Sequence, residues 1–187
     1  MMTAIFKMLQ PIDLAVLNFM YNTFHCAFMD KFMVLVNYLA YQGVIWIILG
    51  VTLLFFKRTR VIGFAFLIAL TLSFLIGDVG LKHFIMRSRP FIDNPDFILK
   101  VSVPSGSSFP STHSAFAAAI TTVAIAKLNK LGRIPLICMA ITIIFSRLYN
   151  YLHYPSDVVA GILLGVACGL AALLIVGKFE NKQREIQ

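Results

Sequence analysis

The chain has 187 residues, of which 59% are hydrophobic and only 13% charged, and its mean hydropathy is +0.86. A soluble domain of this size needs far more charge on its surface, so composition excludes that class and points to a single membrane-embedded domain over residues 1–187. The formal net charge of +8 would suggest nucleic-acid binding in a soluble protein. Here the basic residues fall in short clusters between apolar runs, a pattern of membrane topology, and no nucleic-acid partner is expected.

Taken in chain order, the first thirty residues carry Leu14, Leu17, Met20, Phe24 and Phe28 at helical spacing, interrupted by Asp13, Asn18, Asn22 and His25. That pattern fits an amphipathic helix lying in the interface better than a spanning one, with a sixth span left open. Met1 to Pro11 lacks a basic start followed by a clean apolar stretch, so no cleaved signal peptide is expected. A membrane-spanning helix needs about 20 mostly apolar residues. Segments 31–56, 61–86, 112–126, 134–149 and 155–177 qualify, giving an all-α polytopic bundle of five to six transmembrane helices. The third and fourth are short and are expected to extend into their flanking loops. Gly63, Gly77 and Gly80 allow close helix contact in the second. Gly161, Gly165 and Gly169 in the last repeat the small-xxx-small spacing that lets helices pack tightly in lipid. Cys26, Cys138 and Cys168 are odd in number and lack CxxC spacing, so they read as buried apolar thiols rather than disulfide or metal ligands.

The polar connections alternate in character. Lys57-Arg58-Thr59-Arg60, then Lys127 with Lys130 and Arg133, then Lys178, Lys182 and Arg184 hold nine of the sixteen basic residues. By the positive-inside rule these face the cytoplasm. The connections at 87–111 and 150–154 then lie on the opposite face. The stretch from Val103 to Pro110 is rich in turn formers and reads as an ordered loop.

Three clusters carry residues suited to chemistry. In the first, Lys82 precedes Arg89-Pro90 at the end of the second span. A lysine in an apolar helix costs about 2.5–3.5 kcal/mol on insertion scales, so it needs a partner or a function. Asp78, one turn earlier, is a candidate partner. In the second, Pro110-Ser111-Thr112-His113-Ser114 opens the third span. Ser111 or Thr112 suits a helix N-cap, and the free amides at such a start bind phosphate. In the third, Ser146-Arg147, His153 and Asp157 join the fourth and fifth spans. A carboxylate four residues on is placed to hold one nitrogen of His153 and leave the other free to attack or take a proton. Taken singly, each cluster also has a structural reading: a snorkelling or paired lysine, a plain capped helix, a surface salt link beside Pro155. Alternating spans bring all three to one membrane face, however, so two imidazoles, three cations and a helix N-terminus converge there.

These clusters resemble the signature of the type-2 phosphatidic acid phosphatase superfamily, the lipid phosphate phosphatases. The family pattern is Lys, six residues, Arg-Pro; then Pro-Ser-Gly-His; then Ser-Arg, five residues, His, three residues, Asp. The first and third match in residue and spacing, while Thr112 replaces the glycine of the second. The resemblance implies that His153 attacks phosphorus to give a phosphohistidine, that Asp157 orients its ring, and that His113 protonates the leaving group. It also implies that Lys82, Arg89 and Arg147 hold the phosphoryl oxygens, with Ser111 and the backbone amide of Thr112 completing the cradle, and that neither metal nor cofactor takes part. Arg87 is a candidate contact for a second phosphate, whereas His25 and His83 read as packing or interfacial residues.

The expected substrate is a membrane lipid phosphate. Undecaprenyl pyrophosphate, the spent carrier of cell-wall peptidoglycan synthesis, ranks first, followed by phosphatidylglycerol phosphate or phosphatidic acid. A non-catalytic protein that binds or transports lipid phosphates would keep the cations but would not need His113, His153 and Asp157 together. The spanning helices argue against a vanadate-dependent peroxidase, whose site is related.

Overall fold

The structure is a computed structural model that describes residues 2–94 and 97–186. Every regular element among them is helical: α1 (Met2–Phe24), α2 (Ala27–Leu39), α3 (Val44–Leu54), α4 (Arg60–Ser73), α5 (Lys82–Ile85), α6 (Pro90–Asp93), α7 (Thr112–Lys127), α8 (Lys130–Tyr149) and α9 (Pro155–Ile186). A 3₁₀ turn at Tyr41–Gly43 divides α2 from α3, and a π-helical stretch, Phe74–Leu81, carries α4 into α5. Four stretches are long and apolar enough to cross a membrane: Ala27–Leu54, Arg60–Asp93, Lys130–Tyr149 and Pro155–Glu180. The chain is thus a multi-pass membrane helix bundle.

The third expected span, α7, is not among these four; it has 16 residues, a length of about 24 Å. It runs through the centre of the bundle, where Ala115, Ala117, Ala119, Ile120, Val123 and Ala124 are fully buried against α9, α8 and α4. Protein rather than lipid surrounds it, so it tolerates Thr112, Ser114, Thr121 and Thr122. It gains only one residue over the expected segment, whereas α8 begins at Lys130, four residues early.

The glycine stripe of α9 works as its spacing suggests. A Cβ added at Gly161 would lie 2.4 Å from the Ser111 carbonyl oxygen, and one at Gly165 would lie 2.1 Å from that of Ala115. At Gly169 it would meet the Thr122 Cβ at 2.8 Å. Backbone therefore packs on backbone along the α7–α9 seam. The other face of α9 exposes Leu163, Leu170 and Leu174 to lipid. Gly43 is needed for a different reason: its φ is +73°, and a Cβ there would run into the Phe116 ring at 2.5 Å.

Helix α1 is not among the four apolar spans. Along its length of about 35 Å its contacts stay at one end of the bundle. Phe6 meets Phe109, Asn18 accepts a bond from the Tyr151 hydroxyl at 2.9 Å, Tyr21 meets Phe97, and Phe24 meets Phe145. Ile5, Met8, Ile12 and Phe19 face outward. Helix α1 thus lies across the bundle end, and Phe28 lies beyond it at the start of α2. The basic turns, with Lys57, Arg58 and Arg60 between α3 and α4 and Lys127, Lys130 and Arg133 between α7 and α8, lie at the opposite end, as does Lys178. The side chains of Lys182 and Arg184 lie outside the described residues. One expectation fails for the cysteines. Only Cys168 is buried, while Cys26 and Cys138 face outward, because a membrane protein's apolar surface is turned to lipid as well as to its core.

Gly165→Val should force α7 and α9 apart. Overpacking of this kind costs about 3 kcal/mol, or about 10 °C in Tm for a chain of this size. Gly177→Val, where a Cβ meets nothing within 4 Å, should leave Tm in detergent unchanged. Equal Tm values for the two variants would contradict the close seam.

Candidate active site

At the α1 end of the bundle the helices enclose a cavity of about 980 Å³. Its polar floor is formed by Lys82, Arg89, Thr112, His113, Arg147 and His153. These come from the start of α5, the N-cap of α6, the first turn of α7, the last turn of α8 and the α8–α9 connection. Residues up to 71 positions apart, Lys82 and His153, thus share one chamber, and both imidazoles open into it. Away from the floor the cavity continues between Ile47, Leu67, Leu70, Phe74 and Phe116, an apolar slot suited to a hydrocarbon chain.

The His153 ring is 4% exposed, and its two nitrogens have different partners. Nδ1 lies 2.8 Å from the Ser108 carbonyl oxygen, which can only accept. Nε2 lies 3.4 Å from an Arg89 guanidinium nitrogen, which can only donate. Both neighbours demand the same tautomer, with hydrogen on Nδ1 and a lone pair on Nε2. Burial, then the positive charges of Arg89, Arg147 and Lys82, hold this histidine well below its ordinary pKa. The ring is therefore neutral, with its lone-pair nitrogen facing the cations.

Asp157 departs from the expected direct contact. Its Oδ2 is 3.9 Å from His153 Nδ1, beyond hydrogen-bonding distance. The carboxylate instead accepts from the Ser108 hydroxyl at 2.5 Å and from the Tyr154 amide at 2.9 Å. It fixes the Ser108 segment, whose carbonyl holds the ring. The four-residue spacing brings the carboxylate near His153, but His153 precedes α9 while Asp157 sits in its first turn, so the pair is not one helical turn apart.

The cations differ in how they are held. Arg89 donates to the carbonyls of Gly106, Leu152, Ser105 and Ser107. Arg147 bonds, among the described residues, only the hydroxyl of its neighbour Ser146, at 2.8 and 3.1 Å. Among the described residues, neither guanidinium pairs with a carboxylate. Lys82 pairs with Asp78, as its spacing suggested, and Asp78 also accepts from Thr112 Oγ1 at 2.8 Å. The π-helical turn sets this geometry, since the Lys82 amide donates to the carbonyl of Gly77 five residues back. Two uncompensated guanidiniums facing a cavity make a strong anion site.

Two expected positions lie elsewhere. Ser111 is the N-cap residue of α7, but its side chain caps no amide; its hydroxyl accepts from Ser114 at 3.0 Å. It is fully buried behind the floor because Gly161 draws its backbone into the seam, and its own amide donates to the Asp157 carbonyl at 3.1 Å. Thr112 does reach the cavity, and the amides of the first α7 turn precede the first helical bond, from Ala115 to Ser111. Arg87 does not reach for a second phosphate. It points behind the floor to Asp157 at 2.6 Å and Asp13 at 2.8 Å. His25 packs flat on Tyr149 and pairs with Asp30 at 2.9 Å, and His83 is exposed.

Sequence reasoning missed Ser108, a serine in a loop of serines with no spacing that marks it. It also missed Asn37, Tyr41 and Gln42, which line the chamber where the first span breaks. The positive φ of Gln42, 48°, is a local strain that no residue type announces.

Residues 60–181 match the family described as the PAP2 superfamily. Over 122 residues the chain is 34% identical to an undecaprenyl-diphosphatase of Sulfolobus acidocaldarius, a match covering 65% of this chain and 58% of that protein. Over 176 residues it is 31% identical to a lipid A 4'-phosphatase of Bacteroides thetaiotaomicron, covering 85% of this chain and 74% of that one. The chain therefore spans little more than half the length of the first relative. The crystal structure of Aquifex aeolicus LpxE superposes with a TM-score of 0.74 at 28% identity, covering 86% of this chain and 93% of that one.

The anion site can be tested without turnover. Titration of detergent-purified protein with inorganic phosphate should show affinity reduced about ten- to a hundredfold by Arg147→Ala, the loss of one charged hydrogen bond of about 1.5–3 kcal/mol. Lys57→Ala, at the opposite end, should bind like the parent. Equal binding by Arg147→Ala and the parent would rule out this site.

Proposed function

This chain belongs to the PAP2 superfamily, and on that footing we propose that it is a metal-independent phosphatase of membrane lipid phosphates. The observation that carries the reading is His153, locked as the Nδ1–H tautomer with its Nε2 lone pair aimed into a cationic chamber. The Nε2 lone pair forms a bond to phosphorus as the bond from phosphorus to the leaving oxygen breaks. His113, across the same chamber, takes up a proton as the anionic substrate offsets the neighbouring cations, and gives it to that oxygen. Lys82, Arg89 and Arg147, with Thr112 at the helix start, hold the three phosphoryl oxygens as charge spreads over them. Water then attacks the phosphohistidine, delivering its proton to His113, and both imidazoles return to their starting state. Ser111 supports the helix start from behind, and Asp157 holds the Ser108 segment against the nucleophile.

Undecaprenyl pyrophosphate, cleaved to undecaprenyl phosphate and phosphate, is the substrate we favour. The slot from Ile47 to Phe116 suits the first isoprene units, and the chamber is larger than one phosphate requires. The relative from Sulfolobus bears the name of this activity. Phosphatidylglycerol phosphate, phosphatidic acid and lipid A phosphates are the competing substrates, the last because of the Bacteroides relative. The basic turns at the opposite end favour an extracytoplasmic active site under the positive-inside rule.

Detergent-purified protein in excess chelator should release phosphate from undecaprenyl pyrophosphate, and His153→Ala should reduce release to the uncatalysed level. Release that persists in His153→Ala, or that needs added magnesium, would contradict the proposal. Across the four lipids, the highest kcat/KM should fall on undecaprenyl pyrophosphate; a higher value on another lipid would move the substrate and leave the chemistry standing. Because Arg87 faces away from the chamber, Arg87→Ala should lower hydrolysis of diphosphate and monophosphate lipids by the same factor. A selective loss on the diphosphate would place Arg87 against the second phosphate after all.

A further inference from the structure

Asp13 lies on α1, outside all three clusters, and is 3% exposed. Its Oδ2 pairs with Arg87 at 2.8 Å and accepts from the Ser156 hydroxyl at 2.6 Å, while its Oδ1 accepts from the Ser156 amide at 2.9 Å. Arg87 uses its other terminal nitrogen on Asp157 Oδ1 at 2.6 Å and on the Ser156 hydroxyl at 2.7 Å. The guanidinium is clamped between the rings of Phe6, at 4.4 Å, and Tyr154, at 4.0 Å. One cation is thus shared by two buried carboxylates, one of which lies 3.9 Å from the Nδ1 of His153.

The charge count gives this sharing a chemical consequence. Asp13, Arg87 and Asp157 together carry −1. When Nε2 bonds to phosphorus, the imidazole keeps its Nδ1 hydrogen and the ring becomes cationic. A net negative group behind it stabilises that ring, and more so in a site with little water. Without the Asp13 charge, Arg87 would neutralise Asp157 completely and the ring would face a neutral group. We propose that Asp13 is a positioning residue for the phosphoryl transfer: by drawing off half of Arg87 it leaves Asp157 the negative charge that supports the phosphorylated imidazole. The inference rests on the phosphatase reading above. It also makes α1, the helix across the bundle end, part of the reaction machinery, since an undocked α1 takes that charge away.

Steady-state kinetics on undecaprenyl pyrophosphate, per folded protein judged by a monodisperse elution peak, test the idea with four variants. Asp13→Asn removes the charge and keeps the shape; it should lower kcat about tenfold, the size of one pKa unit of differential stabilisation, with KM within about twofold, since binding by the floor cations is untouched. Asp13→Glu keeps the charge and should retain more kcat than Asp13→Asn. The double variant Asp13→Asn with Arg87→Gln restores a net charge of −1 behind the ring, and its kcat should exceed that of Asp13→Asn alone. A purely structural Asp13 would make the double variant the worse of the two. Wild-type kcat in Asp13→Asn, or a double variant slower than the single one, would overturn the role of Asp13 while leaving the phosphatase standing. Should Asp13→Asn not fold, the double variant is set against Arg87→Gln alone, which leaves −2 behind the ring: an equal or higher kcat in the double variant would overturn the inference, and a lower one would sustain it. An inactive wild type, or an active His153→Ala, would instead remove the phosphatase reading and this role with it.

Discussion

Helices α7 and α9 touch backbone to backbone because Gly161, Gly165 and Gly169 place no side chain between them. That contact sets the level of His113 and His153 relative to each other. The start of α7 is fastened to the start of α9 by the Ser111 amide on the Asp157 carbonyl, so the two imidazoles rise from neighbouring helix ends into the same chamber. Two helices separated by ordinary side chains would stand about 8–10 Å apart and would set the two imidazoles farther from each other. In lipid, where apolar burial gives no driving force between helices, this close fit is what holds the pair together.

Around that seam the bilayer restricts where polar residues can sit. Non-helical backbone at membrane depth survives only where protein covers it or a cavity receives it. The turn at Tyr41–Gly43 breaks the first span, and Tyr41 and Gln42 line the chamber. The π-helical stretch before Lys82 likewise sits where the second span meets the site. Both irregularities are costly in a lipid-facing helix and tolerable beside a polar cavity. The same reasoning explains the charge pattern. Arg87 is buried between two carboxylates behind the floor, Lys82 reaches the chamber while paired with Asp78, and Arg89 and Arg147 are held by carbonyls and a hydroxyl, with no carboxylate partner among the described residues.

Much of this was legible in the amino-acid sequence. Apolar runs of spanning length gave the bundle, the glycine spacing gave the seam, and the polar clusters fell at alternate ends, so that Lys82, Arg89, His113, Arg147 and His153 were predicted to meet. Of residues 1–30, those in α1 (Met2–Phe24) lie across the bundle end, whereas Phe28 already belongs to α2 and to the span Ala27–Leu54. What was hidden depends on contacts between residues far apart. Ser108 stands 45 residues from His153, and Asp13 stands 74 from Arg87 and 143 from Ser156. No periodicity encodes such pairs. Local spacing also misled at a helix start: His153 and Asp157 are four apart, yet only Asp157 is in α9, and its carboxylate meets Ser108. Ser111 read as part of the cradle because its cluster did, and only the depth of the glycine seam moves it behind the floor.

The central claim is that His153 Nε2 takes the phosphoryl group, and trapping the intermediate tests it most directly. Enzyme mixed with undecaprenyl pyrophosphate labelled in its terminal phosphate, then quenched in base within one turnover, should carry an acid-labile label on the peptide containing His153. Label on another residue, or full turnover with no phosphoenzyme at any quench time, would contradict the account.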